Sequence, residues 1–418
     1  TVIENISMHG TLTHQFNENL IGALQVRHFK SRFDEFSTSP FLSLSPITDG
    51  TSLQVRGHLP ARINELTIDG SVTSTFSTGS FDHTLIAGVT YDDTNYRAAS
   101  GFDLINVLGP YDYVSQRTPL SFGDVPALDS FLQSDYKTAA AYAQDHIRFT
   151  DQISVLLGGR FSQYELKEIE GGQGTDETFT HFDPRIGLTF QIIDGFSVFS
   201  GWSNGSRLSL FFVGDNGAPP DLETSQSLEV GVKFGLSELG LSGTLAGFQN
   251  TRKNVPTPDP TTFTSSLQTG EQEAIGAEID LVWEPSQQLS VLVSAAYADS
   301  EVTEDNAIPI GDELPRVPEY SGRIAGRYRF DGPLEGFGVG AGATFASGAE
   351  TTLPNSFRSD AYAIIDAQAS YAFDRFKVGV AVQNLTDASY FSPYQYLAQP
   401  VLRPGTPRTA YVTLTANF

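Results

Sequence analysis

The pentapeptide Gly201-Trp202-Ser203-Asn204-Gly205 has the G-x-S-x-G spacing that exposes a nucleophilic serine in α/β hydrolases. In those enzymes the serine stands on a sharp turn from a strand into a helix. Here the segment continues an alternating strand into a polar loop, so the sequence disfavours a nucleophilic role for Ser203. We expect that the protein is not an enzyme.

The sequence also lacks the spacings that bind metals. Its seven histidines are scattered, without an H-x-x-x-H or similar pattern, and it has no cysteine. A thiolate metal site and a disulfide framework are therefore excluded, and a dedicated histidine site is disfavoured. We expect no resident metal and no cofactor.

The residues best suited to ligand binding are aromatic rings and one arginine in or beside the polar segments between strands. Aromatic rings can stack on a planar or hydrophobic ligand. Arg207 follows a strand end, where it could pair with an anionic ligand or form a salt bridge within its loop. The candidate binding residues are Tyr111, Tyr113, Arg207, Phe211, Phe212, Tyr394 and Tyr396.

Composition limits the elements that can position these residues. Of 418 residues only 39% are hydrophobic, and no run approaches the roughly 18 apolar residues of a membrane helix. The net charge of -24 argues against broad binding to nucleic acid phosphates. One pattern continues from end to end without a linker, which predicts a single all-β domain over residues 1–418.

The last strand shows that pattern most clearly. Val412, Leu414 and Phe418 share one face, while Tyr411 and Thr413 lie on the other. Such alternation is typical of a transmembrane antiparallel β-barrel, which has lipid outside and a polar lumen inside. About 17 segments alternate in this way over a length that can cross a bilayer. A soluble β-sandwich is the alternative, and the regularity of the whole chain disfavours it.

Charged side chains fall on the predicted lumenal face, where they can be hydrated. That face is predicted for Arg323, Arg327, Arg329, Glu278, Asp280, Lys377, Gly379, Ala381 and Gln383. The lipid face is predicted for Ile324, Gly326, Tyr328 and Phe330, for Ala277, Ile279, Leu281 and Trp283, and for Phe376, Val378, Val380 and Val382.

Connections alternate between tight turns and long polar loops, and in bacterial outer-membrane barrels the short turns face the periplasm. Tight turns are predicted at 16–19, 77–80, 150–152, 194–195, 236–240, 284–288, 331–335 and 374–375. Long external loops are predicted near 35–62, 95–134, 170–180, 203–224, 252–273, 299–318, 346–360 and 386–405. Because single-chain bacterial barrels have even strand numbers, and no signal peptide stands at Thr1, we expect that N-terminal residues are missing.

Several segments, in order along the chain, resemble the barrel of TonB-dependent siderophore receptors. They are HTLIAGVTYD (83–92), QDHIRFTDQISVLLGGR (144–160), DPRIGL (183–188), LETSQSLEVGVKF (222–234), GAEID (276–280), VQNLTD (382–387) and PGTPR (404–408). Each segment is a weak match, whereas their common order and spacing are specific.

The resemblance implies a bacterial outer-membrane receptor that binds a ferric siderophore at its external loops and imports it with energy relayed by TonB. Such barrels have roughly 22 strands around a plug domain. The plug, the TonB box and about five strands have no counterpart here. The resemblance also implies that Arg323, Arg327, Arg329, Glu278 and Asp280 contact the plug, that iron arrives already chelated, and that lipid and lipopolysaccharide surround the barrel.

Alternatives remain open from the sequence. Tyr390 and Phe391 suit either a ligand site or the aromatic girdle at the membrane interface. A passive porin of 16 to 18 strands would need no plug, and an outer-membrane enzyme or adhesin would need a catalytic set or a loop platform. Haem, cobalamin or a glycan could replace the siderophore.

The charge of the external loops suggests which chelate binds. The segment 299–318 contains Asp299, Glu301, Glu304, Asp305, Asp312 and Glu313 against Arg316. An acidic surface repels an anionic chelate over about a Debye length, so a neutral or cationic chelate is expected. Alternatively, these carboxylates bridge divalent cations to lipopolysaccharide.

Overall fold

A computed structural model of the chain describes residues 2–41, 52–108, 126–170, 173–209, 221–258, 266–396 and 399–416. In these residues there is no α-helix, and no helix is long and apolar enough to cross a membrane. Seventeen strands form one sheet, which confirms the strand number predicted from the period-two pattern. The all-β prediction is likewise confirmed.

The sheet is an antiparallel meander. Its strands are β1 (Val2–Asn17), β2 (Leu20–Phe41), β3 (Ser52–Thr78), β4 (Phe81–Leu108), β5 (Ser130–Arg148), β6 (Ile153–Glu170), β7 (Gln173–Ile193), β8 (Phe196–Leu208), β9 (Leu222–Leu236), β10 (Leu241–Pro258), β11 (Ser266–Trp283), β12 (Leu289–Glu304), β13 (Tyr320–Arg329), β14 (Phe337–Ala346), β15 (Tyr362–Phe373), β16 (Phe376–Gln383) and β19 (Thr409–Ala416). The remaining strands, β17 (Phe391–Tyr396) and β18 (Gln399–Pro404), form a separate hairpin between β16 and β19.

Each strand from β1 to β4 pairs antiparallel with the next strand in the chain, and so does each strand from β7 to β16. β16 then pairs with β19. The chain divides into two compact units, one containing β1–β4 and the other β8–β19, and β5–β7 contribute to both. The expectation of a single domain stays a prediction.

The tight turns lie where the sequence predicts them. At the turn between β7 and β8, Gly195 has a φ of 72°, which glycine adopts without steric cost. At the turn between β3 and β4, Gly79 has a φ of 65° for the same reason. Two of the other connections each contain one short 3-10 helix, at Ser237–Leu239 and at Gly332–Leu334.

The predicted long loops are partly wrong, because many of their residues continue the strands. β3 and β4 have 27 and 28 residues, or about 90 Å at the usual rise of a strand, which is several times the apolar height of a barrel. The alternation of apolar and polar residues ends where the lipid face ends. Beyond that point the backbones of the two strands remain hydrogen-bonded, with polar residues on both faces. Arg56 and Asp103, for example, form an ion pair across these strands at 3.0 Å.

The register keeps the predicted apolar residues on one face of the sheet. Val380 pairs with Val412, and Ile324 pairs with Val293. These side chains are exposed although they are apolar, with Ile324 at 51% and Val380 at 44% of their full surface. A continuous exposed apolar face is costly in water, so this face is suited to lipid.

Aromatic rings mark the two edges of that face. On β13 they are Tyr320, in ring contact with Tyr297, and Tyr328, in ring contact with Phe330. Tyr320 and Tyr328 are about 27 Å apart along the strand, which at the usual strand tilt spans about 20 Å of the roughly 25 Å apolar band of outer-membrane barrels. The dimensions therefore match those of a bilayer-spanning wall.

Candidate functional site

Three charged side chains meet on the polar face, at the ends of β8–β10 that lie away from the tight turns. Arg207 in β8 is directly opposite Glu223 in β9. Arg252 in β10 is opposite Ser225, which shares a face with Glu223 because it is two residues further along β9. We call these residues the Arg207–Glu223–Arg252 triad.

One carboxylate binds both guanidinium groups. Arg207 Nη2 donates to Glu223 Oε2 at 2.8 Å, and Arg252 donates through Nε and Nη2 to Glu223 Oε1 at 2.9 and 2.7 Å. Arg252 Nη1 also donates to Gln272 Oε1 at 3.4 Å. The Glu223 side chain is only 4% exposed, whereas those of Arg207 and Arg252 are 65% and 41% exposed. The triad therefore presents a net positive charge to solvent.

Hydrogen bonds to the backbone fix the start of β9 beside its neighbours. Asn254 Nδ2 donates to the carbonyl of Leu222 at 2.9 Å, and Gln268 Nε2 donates to the carbonyl of Asp221 at 2.9 Å. Asn254 stands at an irregularity of β10, with a φ of 56° that asparagine tolerates better than most residues. The segment that carries Glu223 is thus held from two strands.

Of the predicted binding residues, Arg207 is the one whose side chain the structure describes. It forms the salt bridge that the sequence left as an alternative, although the partner belongs to the next strand. Tyr394 and Tyr396 pair through their backbones with Val401 and Gln399 in the small hairpin. Tyr111, Tyr113, Phe211 and Phe212 lie outside the described residues, so ligand contacts by these residues stay predictions.

Sequence reasoning missed Glu223, Arg252 and Gln272. Each is a single polar residue near a strand end, without a motif spacing of its own. A usable signal would have been the cross-strand register, because residues of opposite charge that face each other on adjacent strands form pairs. That register becomes certain only when the strand ends and the irregularity at Asn254 are known.

Tyr390 lies against the polar side of the sheet. Its ring is 4.7 Å from that of Tyr362, and Tyr362 alternates with the exposed apolar residues Ala363 and Ile365 on β15. Tyr362 therefore shares a face with Asp366 rather than with the aromatic edge formed by Tyr297 and Tyr320. Of the two alternatives for Tyr390, this position favours the polar face over the girdle.

Two of the predicted external loops are joined to each other by a network that we call the loop clasp, formed by residues 305–319 and 347–361. Arg358 Nη1 donates to both oxygens of Glu313, at 2.8 and 2.7 Å. The backbone amide of Asn355 donates to Asp312 Oδ2 at 2.8 Å, and Asn355 Nδ2 donates to the carbonyl of Glu313 at 2.8 Å. Asp312 and Glu313 are therefore occupied within the clasp.

Further along the polar face, the predicted lumenal arginines lie as expected. Arg323 Nη1 donates to Thr344 Oγ1 at 2.6 Å and to Asp366 Oδ2 at 3.2 Å. Arg327 has a longer contact of 3.8 Å with Glu284. Small residues on β14, such as Gly340 and Gly342, leave a recess of about 330 Å³ between these side chains.

Ser203 lies within β8, opposite Arg185 of β7 and Ser227 of β9. The strand continues for several residues beyond it, so the strand-to-helix turn that a hydrolase serine requires is absent at this position. The geometry around Ser203 therefore gives no support to nucleophilic chemistry.

Comparison with known proteins identifies the architecture. The family model described as TonB dependent receptor-like, beta-barrel, matches residues 3–385. The metal-pseudopaline receptor CntO of Pseudomonas aeruginosa is 27% identical over 99% of this chain and 59% of its own length. The ferrichrome outer membrane transporter/phage receptor of Escherichia coli is 27% identical over 93% of this chain and 56% of its own length.

Solved structures agree on the fold. The siderophore receptor PiuA from Acinetobacter baumannii matches with a TM-score of 0.82 at 20% identity, covering 99% of this chain and 64% of PiuA. The ferric preacinetobactin receptor BauA from the same organism matches with a TM-score of 0.81 at 18% identity, covering 100% of this chain and 63% of BauA. The chain thus spans somewhat under two thirds of the length of these proteins.

Proposed function

The chain belongs to the TonB-dependent receptor family, and from this membership we propose that the protein is a receptor of the bacterial outer membrane that binds a ferric siderophore and imports it with energy supplied through TonB. Several relatives are named as receptors for such chelates, including those for ferrichrome, ferric pyoverdine and ferrioxamine B. The family consists of receptors and transporters rather than enzymes, in line with the expectation from the sequence.

The observation that carries the proposal is the two-faced sheet of β8–β16 and β19. One face is apolar, exposed and bounded by aromatic rings about 27 Å apart along β13. The other face carries Arg323, Asp366 and the Arg207–Glu223–Arg252 triad. A wall with these faces can stand in a bilayer and line a polar compartment.

The polar face supports contacts with a further part of the receptor. Its arginines and carboxylates, Arg323, Arg327, Arg329, Glu278 and Asp280, suit a polar plug rather than lipid, because charged groups are costly in the hydrocarbon region. We assign them to that contact as part of the proposal. The relatives are longer than this chain, which is consistent with a further segment in them.

The outward surface of β10–β12 supports contact with lipopolysaccharide. Lys253 Nζ and Glu271 form an ion pair at 2.8 Å, and Gln249 donates to Glu273 at 2.7 Å, on the face that carries Ile275 nearer the tight turns. The hydrogen bond and charge of Glu271 hold the pKa of Lys253 above its usual value. Polar groups of both signs above an apolar band fit a lipid headgroup layer.

The test is iron uptake in cells. The natural polypeptide that contains residues 1–418 is expressed in a strain that lacks its own siderophore receptors, with and without TonB, and radioactive iron is supplied as ferric siderophores. Uptake that requires both the receptor and TonB is expected for at least one chelate. Diffusion of small solutes without dependence on TonB would instead favour a porin.

A further inference from the structure

The triad differs from an ordinary structural salt bridge in how its charge is distributed. Its carboxylate is buried, but both guanidinium groups reach solvent. Within the described residues, Arg207 uses only Nη2 in a hydrogen bond. A guanidinium has five N–H donors in a fixed planar arrangement, so among the described residues most of those of Arg207 have no acceptor.

Glu223 also fixes the direction of those donors. It binds Arg252 through Nε and Nη2 and Arg207 through Nη2, so the two guanidinium groups are held around one carboxylate. One negative charge against two positive charges leaves the group at a net charge of +1. This is a preorganised cationic feature in a chain whose net charge is -24.

We infer that Arg207 and Arg252 form a subsite for an anionic oxygen group of the ferric chelate, such as a carboxylate or a catecholate, and that Glu223 is the residue that positions them. This inference rests on the proposed function. Paired oxygens match the planar donors of arginine, and charge-assisted hydrogen bonds of this kind are the stronger ones in proteins. The subsite therefore selects chelates by charge.

The structure also weakens the argument for a neutral chelate. That argument counted the carboxylates of segment 299–318, but the charge of Glu313 is compensated by Arg358 in the loop clasp. Asp312 accepts the backbone amide of Asn355 and keeps its charge. Asp299 and Glu301 alternate along β12 so that they share a face with Tyr297, which belongs to the apolar side. The acidic residues counted in the sequence are thus not a uniform barrier in front of the polar face.

The experiment compares two ferric chelates, a tris-catecholate with a charge of about -3 and a neutral tris-hydroxamate, each titrated into the purified natural polypeptide that contains residues 1–418. Variants Arg207→Met and Arg252→Met remove one guanidinium each and keep an unbranched side chain. Arg375→Met is the matched control, because Arg375 is exposed at a tight turn and pairs with the adjacent Asp374.

Each triad variant should weaken binding of the catecholate by about tenfold and leave hydroxamate binding within about twofold of the original. The control variant should change neither. Equal binding of the catecholate to the original protein and to both triad variants would refute the subsite while leaving the receptor function intact. Failure of the unaltered protein to bind the catecholate would also refute the subsite, and the uptake experiment above decides the receptor function separately.

Glu223→Gln tests the positioning role through the salt dependence of catecholate binding, which a loss of stability alone does not change. The substitution keeps the side-chain size and raises the charge of the triad from +1 to +2, so catecholate affinity should fall more steeply as salt increases. Glu223→Asp keeps the charge and should restore the original salt dependence. An unchanged salt dependence in Glu223→Gln, measured on folded protein, would show that Glu223 serves structure alone.

Discussion

At the scale of single residues, the candidate site depends on side chains that lie opposite each other on adjacent hydrogen-bonded strands. Arg207 could be predicted from the sequence because it stands at the end of a strand that the alternating pattern predicts. Its partner Glu223 was not, since thirteen residues separate the end of β8 at Leu208 from the start of β9 at Leu222, and the register between two strands cannot be counted across such a gap. The pairing follows from geometry that only backbone hydrogen bonding defines.

Glu223→Gln should lower the free energy of unfolding by about 1–2 kcal/mol, because two guanidinium groups lose their shared carboxylate while remaining partly exposed to water. The measurement is the shift of the urea midpoint in detergent or lipid. Glu301→Gln is the control, since Glu301 is exposed on β12 and shares a face with Tyr297. An equal loss in both variants would mean that the triad contributes no stability.

Val380→Arg tests the assignment of the two faces. Val380 lies in the middle of β16 on the apolar face and is 44% exposed, so an arginine there should cost about 2–4 kcal/mol near the bilayer midplane. Gln383→Arg lies on the polar face of the same strand and should cost much less. Unfolding by urea in lipid vesicles gives both values, and equal costs would contradict the assignment.

At the scale of elements, the period-two pattern predicts the lipid-facing parts of the strands and the tight turns that join them. It does not predict where the strands end on the other side. There, polar side chains occupy both faces, so the alternation is lost while the backbone ladder continues, as in β3 and β4. For the same reason the β17–β18 hairpin was hidden within a predicted loop.

The loop clasp is the element that offers a test of local order. Arg358→Met removes the bidentate contact with Glu313, and because Arg358 is 39% exposed the local loss should be about 1 kcal/mol. Amide hydrogen exchange in 305–319 and 347–361 should then become about fivefold faster. Exchange in β13, measured in the same experiment, should stay the same. Unchanged exchange in both loops would indicate that backbone hydrogen bonds alone hold them.

At the scale of the whole molecule, the apolar face predicts how the protein sits in a membrane. The chain has two tryptophans, and both are on that face: Trp283 is 43% exposed, and Trp202 pairs with Ile186 and Leu228, which are exposed apolar residues. Brominated lipids should quench the fluorescence of both residues strongly, and aqueous acrylamide should quench it weakly.

Trp202→Phe isolates the emission of Trp283, so that each position can be followed separately. Strong quenching by acrylamide together with weak quenching by brominated lipid would place the apolar face in water. That result would contradict the membrane assignment for the strand concerned.

The pairing of strands that are consecutive in the chain also affects how such a protein folds. In the pairs described above, each strand contacts the strand before or after it in the chain. The exception is β16, which pairs with β19 across the β17–β18 hairpin. Closing a short connection costs little chain entropy, and contacts of low sequence separation form fast. Hairpins closed by turns such as those at Gly79 and Gly195 are therefore the natural units of assembly. Biogenesis can proceed one hairpin at a time, with each new strand templated on the exposed edge of the last.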